Sequence, residues 1–282
     1  MIVVGGVPEH FNLPWKLAIE RGAFVRAGLD VRWVDEPAGT GAIAAALAEG
    51  RFDLATVLTE GLVAALDRGL AAHVERLYVR SPLWWGIHVP PGSVNVAPLD
   101  VAHSHLAPVD LAHRHLAHRR IAISRLGSGS HLMAFVLAAR EGWSIGPENF
   151  VIVGGLQGGV DALAEDCADI FLWETFMTKP SVDEGRIARA GEIAAPWPAF
   201  VVARRKGFGA ARARAVLRIV DASVTSFVSD PATPGLIAAR LGIDESDAIA
   251  WLARTQFAHG QRLAAGAIHE VREQLHAAGA TL

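Results

Sequence analysis

Short apolar runs alternate along the chain with segments whose apolar positions recur at helical spacing, and glycine falls repeatedly where a helix should stop. Residues 2–7 read as a buried strand, followed by Asn12 as a helix cap, Pro14 in the first turn and a stop near Gly22. Residues 29–34 form the second strand. Thr40 and Gly41 open a helix of small residues that ends at Gly50, and residues 52–58 form the third strand. Thr59 and Glu60 open the next helix, which ends at Gly69, and residues 74–79 read as a further strand. After an irregular stretch the rhythm returns, with strands at 120–124, 150–153 and 168–172 and helices starting at Ser130, Gly158 and Trp173. Two sets of three β-α units result. Each predicts a mainly parallel sheet flanked by helices, hence an α/β class with two lobes.

Residues 82–98, rich in Pro and Gly, separate the two sets, and Pro196-Trp197-Pro198 leads out of the second set into another strand at 199–203. Two crossings place residues 1–86 and 199–282 in lobe 1 and residues 87–198 in lobe 2, with a hinged ligand cleft expected between them. Residues 207–282 read as helices interrupted at 231–234 and are expected to pack back onto lobe 1.

Composition narrows the partners. With 282 residues, 51% of them hydrophobic, the chain can bury one large core or two smaller ones. A net charge of -3 and a pI near 6.5 give no pull toward nucleic acid or anionic membrane, so a small-molecule ligand is expected. No apolar run approaches the roughly 18 residues of a membrane span, despite a mean hydropathy of +0.30. The single cysteine, Cys167, excludes an internal disulfide and any Cys-rich metal site. The first residues lack a basic segment and a signal-peptide core, so the chain as written is expected in the cytoplasm; a signal upstream of Met1 would make it periplasmic. A monomer without cofactor is expected.

A family resemblance enters with the opening residues. Gly6-Val7-Pro8-Glu9-His10-Phe11-Asn12-Leu13-Pro14-Trp15, then Ala18-Ile19-Glu20-Arg21-Gly22-Ala23-Phe24 and Ala27-Gly28-Leu29-Asp30-Val31, resemble the start of type II periplasmic solute-binding proteins. Pro37-Ala38-Gly39-Thr40-Gly41, Asp53-Leu54-Ala55 and Ile121-Ala122-Ile123-Ser124 extend the likeness over most of residues 1–205. The branch resembled includes binders of sulfonates, taurine, nitrate and thiamine pyrimidine precursors. The resemblance implies two lobes closing over a small molecule, for delivery to the permease of an ABC transporter.

In open α/β sheets ligands gather at the carboxyl ends of strands, so the strand-to-helix turns are the candidate contacts. His10 and Asn12 follow the first strand, as contacts or as a solvated turn residue and a plain cap. Thr40 and Gly41 follow the second, where glycine would let a ligand approach the backbone. Thr59 and Glu60 follow the third, with Glu60 favoured at a helix start whether or not a ligand is present. In the second lobe Ser128, Gly129, Ser130 and His131 offer backbone N–H groups and hydroxyls at one helix start, a site for an anion or polar head. Trp173 and Glu174 set an aromatic beside a carboxylate, a pairing suited to a planar or cationic nitrogen group. Eight tryptophans stand against one tyrosine, and Trp15, Trp84, Trp85, Trp173 and Trp197 fall near predicted turns or crossings. Together they suggest an aromatic-walled cleft, with core filling the alternative for any one of them. The expected ligand is therefore heterocyclic or nitrogen-containing, with Trp85 and Trp197 among its contacts.

Residues 99–107 and 109–117 match at six of nine positions, a tandem duplication carrying His103, His105, His113, His115 and His118. No carboxylate or cysteine accompanies these histidines at a metal-ligand spacing, so residues 99–118 are taken as a surface insertion without metal. Cytoplasmic enzymes share the resembled fold, and an enzyme or ligand sensor is the alternative function. Cys167 lies before a strand, away from the cleft edge, and no Ser-His-Asp order, Walker loop or dinucleotide fingerprint appears.

Overall fold

A computed structural model describes residues 1–93 and 119–280; the histidine-rich duplication lies outside the described residues. The elements follow in the order β1 (Ile2–Gly6), α1 (Leu13–Glu20), α2 (Ala23–Arg26), β2 (Val31–Asp35), α3 (Thr40–Ala48), β3 (Leu54–Leu58), α4 (Thr59–Asp67), β4 (Ala72–Val79) and β5 (Trp84–Val89). Next come β6 (Ile121–Ile123), α5 (Gly129–Glu141), β7 (Phe150–Ile152), α6 (Leu156–Ala164), β8 (Ile170–Glu174), α7 (Lys179–Asp183) and β9 (Ala188–Ala194). The chain ends with β10 (Phe200–Arg205), α8 (Ala210–Ser229), α9 (Thr233–Leu241), α10 (Glu245–Arg254) and α11 (Ala267–Ala277).

Two compact units emerge, the first made of Met1–Pro82 and Trp197–Glu273, the second of Leu83–Pro196 with Gln274–Thr281. The first crossing lies at Pro82–Leu83 because Trp84–Val89 is one unbroken strand of the second sheet. The first sheet has the order β2-β1-β3-β10-β4 and the second β7-β6-β8-β5-β9. In each, four strands run in one direction, three of them hydrogen-bonded side by side, while a fifth enters antiparallel: β10 between β3 and β4, β5 between β8 and β9. The two sheets are therefore mixed and built on one plan.

The parallel strands are legible as apolar runs because helices cover them on both faces. In the first unit Ile43 and Leu47 of α3, Leu62 of α4, Phe52, Ala55, Val57, Val201 and Ala203 form one buried cluster. On α8, Ser223 donates from Oγ to the Pro14 carbonyl at 2.7 Å, and Trp251 of α10 sits edge-on to Phe11, so C-terminal helices pack on this unit. In the second unit Val160 and Leu163 of α6 close over Ala122, Phe171 and Ile187.

A carboxylate at the start of the third strand fastens each sheet. Asp53 N donates to the Val3 carbonyl at 2.8 Å while Asp53 Oδ2 accepts from Val3 N at 2.9 Å. Asp169 and Arg120 repeat the reciprocal pair, each bond at 2.8 Å. Beyond these strands Thr59 N donates to Ala199 O, and Thr175 N to Trp84 O, both at 3.1 Å. The Asp53-Leu54-Ala55 motif is thus a strand clasp at the amino edge of its sheet.

Strands β5 and β9 are absent from the sequence-based pattern. The Pro- and Gly-rich surroundings of Trp84–Val89 mask the strand, and Ala188–Ala194 contains few strong strand formers; among the described residues it lies at the sheet edge and pairs with β5 alone. No helix starts at Trp173. Strand β8 continues through Glu174, and the next helix, α7, begins at Lys179.

Candidate functional site

Parallel β1, β2 and β3 end on one edge of the first sheet, and β4 ends there too, because antiparallel β10 pairs Phe200 with both Leu58 and Val79. That edge collects Val7–Asn12, Gly39–Thr40, Thr59–Glu60, Ser81 and Trp197. Gly39 has φ 74 and ψ -160, a backbone state closed to other residues. It occupies the cap position of α3, which makes Thr40 the first helical residue rather than a side-chain cap. The buried Thr40 side chain then lies against Gly61 of α4, where any Cβ would collide with the Thr40 methyl. Two helix beginnings are thereby held together, with Gly41 half-buried beside Thr40.

Glu60 stands at the second of these beginnings, 1% exposed. Its Oε2 accepts a 2.8 Å hydrogen bond from Trp197 Nε1, which reaches across from the start of the returning strand. Burial pushes the carboxyl up to about 7, against the smaller opposing effects of its own backbone N–H and the indole N–H. Among the described residues Glu60 Oε1 and Thr59 Oγ1 are buried without a hydrogen-bond partner. The first unit thus brings together Thr40, Gly41, Thr59, Glu60 and Trp197.

His10 and Asn12 take other roles. His10 is buried rather than solvated, its ring edge-on to Trp251 with centroids 4.5 Å apart. Asn12 occupies the cap position of α1 but makes no side-chain cap; its Nδ2 donates instead to the Val7 carbonyl at 2.8 Å and fixes the turn after β1.

In the second unit Ser128 is a true cap, its Oγ accepting from His131 N at 3.3 Å. Ser130 Oγ accepts from Ser124 N at 3.0 Å and meets Ser128 Oγ at 3.1 Å, while His131 Nδ1 accepts from Gly127 N at 3.0 Å. The Ser128 and Ser130 hydroxyls and the His131 N–H that sequence alone offers to a ligand are therefore bonded within this turn, with Gly129 the first residue of the helix. An accepting Nδ1 places the His131 proton on Nε2. Burial lowers the pKa of this imidazole, which packs against Phe135 and Phe150.

Trp173 and Glu174 are consecutive in a strand, so their side chains leave opposite faces. Trp173 stacks on Phe171 at 5.3 Å and packs against the core cluster. Glu174 Oε2 accepts from Phe176 N at 2.8 Å and Met177 N at 2.7 Å, closing the turn after β8. The indole that shares a face with Glu174 is Trp85, directly opposite it in the β5–β8 register. Trp85 Nε1 is buried without a hydrogen-bond partner among the described residues.

The sequence reading missed a second polar group of this sheet. His88 is fully buried, its Nδ1 3.1 Å from the Phe171 carbonyl, and burial together with the nearby Arg189 charge drives it down to about 3. Arg189 Nη2 donates to the Thr175 carbonyl at 2.5 Å. The alternation Gly86-Ile87-His88-Val89 is the signal that could have shown His88 on a strand face. Among the described residues no group of three or more His, Cys, Asp or Glu could hold a metal ion, and no helix is long and apolar enough to cross a membrane.

No curated protein matches the chain. The model of the Ca3427-like PBP family matches residues 107–193. The Candida albicans CA3427 gene product, a protein with the generic periplasmic binding protein fold, is 25% identical and superposes with a TM-score of 0.84, over 100% of this chain and 90% of its own. The alkanesulfonate-binding protein SsuA from Xanthomonas axonopodis pv. citri, bound to MOPS, is 17% identical with a TM-score of 0.72, over 96% of this chain and 90% of its own. The periplasmic nitrate-binding protein NrtA from Synechocystis PCC 6803 is 16% identical with a TM-score of 0.67, over 95% and 74%. Two mixed sheets of one topology, each flanked by helices, and this set of structural relatives establish that the chain has the two-lobed type II periplasmic-binding-protein fold.

Proposed function

We propose that this chain is a solute-binding protein for a small nitrogen-containing molecule, held at the carboxyl edge of the first sheet and passed unchanged to an ABC-importer permease. Binding proteins among its structural relatives support a ligand-binding role. The ligand class rests on one observation, the buried Glu60 carboxyl with an unpartnered oxygen and Trp197 bonded to the other. The relatives named for alkanesulfonate and nitrate take anions. A buried carboxyl at the carboxyl edge of the first sheet disfavours an anion and favours an N–H donor.

Native mass spectrometry of the monomeric protein, purified without refolding, tests the function. A small-molecule adduct that leaves on denaturation with unaltered mass, together with compaction in X-ray scattering when it is restored, is the expected result. Chemical turnover of the released compound would replace the binding reading with an enzymatic one.

A further inference from the structure

We infer that Glu60 recognises a cationic nitrogen group, an amine, amidinium or protonated ring nitrogen, with Oε1 accepting its N–H and Thr59 Oγ1 as the neighbouring polar contact. This rests on the solute-binding reading above and specifies its ligand chemistry.

The geometry leaves one carboxyl oxygen for a ligand. Trp197 Nε1 donates to Oε2 and thereby fixes the carboxyl orientation, while Oε1 and Thr59 Oγ1 are both buried and unpartnered among the described residues. A buried acceptor without a partner is costly, and a ligand donor removes that cost. Charge selects the kind of donor. No salt bridge reaches Glu60 among the described residues, and no basic side chain contributes to its proton affinity. The raised pKa has burial as its leading cause, as expected of a carboxyl that lacks a positive neighbour.

The α4 start alone would attract an anion. Glu60 already supplies negative charge there, so an anionic ligand would meet a like charge in a low-dielectric site, whereas a cation would complete an ion pair. Trp197 adds an aromatic surface beside the carboxyl, which suits a planar cation. Gly61 keeps the next helical position free of a side chain, with Thr40 resting against it.

The test measures binding of benzamidinium, n-butylammonium and 4-aminopyridinium by calorimetry and thermal shift, beside neutral benzamide and the anions benzoate and methanesulfonate. Cations should bind in preference to benzamide, and Glu60→Gln should weaken them about tenfold or more while remaining folded. Thr59→Val should weaken them by a smaller factor. Anions or benzamide binding as tightly as the cations, or unchanged cation binding in Glu60→Gln, overturns the cation assignment and leaves the solute-binding reading standing. Absence of binding by every compound overturns the cation assignment, and absence of any adduct in native mass spectrometry overturns the broader reading as well.

Discussion

Replacing Glu60 by glutamine separates the shape of this side chain from its charge. The carboxyl is 1% exposed, and burial raises it from 4.5 to about 7. A shift of about 2.5 units at ~1.4 kcal/mol per unit corresponds to about 3 kcal/mol. The folded state holds the Glu60 proton more tightly than the unfolded chain does. Stability from this group is therefore fully present below pH 4.5, falls between pH 4.5 and about 7, and is lost above that. Glutamine keeps an oxygen to accept the Trp197 N–H and carries no charge at any of these pH values. Urea titrations of ligand-free wild type and Glu60→Gln at several pH values between 4.5 and 8 give the comparison, with other ionisations cancelling in the difference. The two proteins should agree within about 1 kcal/mol at pH 4.5, and the variant should be more stable by about 3 kcal/mol at pH 8. A difference independent of pH, or a less stable variant at pH 8, would falsify the assignment of Glu60 as an uncompensated buried acid.

Two further outcomes follow from the strand contacts. Asp53→Ala removes the acceptor of Val3 N and of Arg205 Nε, and should cost about 2 kcal/mol in urea unfolding; a loss below about 0.5 kcal/mol would show the clasp to be idle. His88 should remain neutral, protonated on Nδ1, in ¹⁵N spectra from pH 8 down to 5. Its lowered folded pKa means that stability falls as pH drops from about 6.5 toward 3, and a His88 titration midpoint near 6.5 would remove that account.

The β-α repeats were legible because doubly covered strands such as Leu54–Leu58 read as apolar runs and because left-handed glycines such as Gly50, φ 74, stop the helices. The site was legible only as a set of positions. Glu60 and Trp197 are 137 residues apart, and no local pattern announces a hydrogen bond between them. At Trp173 and Glu174 a misplaced strand end was enough to mislead: residues adjacent in a turn can share a ligand, whereas residues adjacent in a strand face opposite ways. The Ser128–His131 stretch was correctly placed at a helix start, yet its hydroxyls bond to nearby backbone and to each other, a local competition that residue types alone do not resolve.

The returning strand β10 also dictates an order of assembly. It lies between β3 and β4, and among the described residues β4 has no other strand neighbour in its sheet. A nascent chain that has emerged only as far as Pro196 already contains every described strand of the second unit but lacks the strand that joins β4 to β3. The first sheet must therefore wait for its own downstream strand, whereas the described strands of the second sheet all lie upstream of Pro196 and are free to pair first on the ribosome.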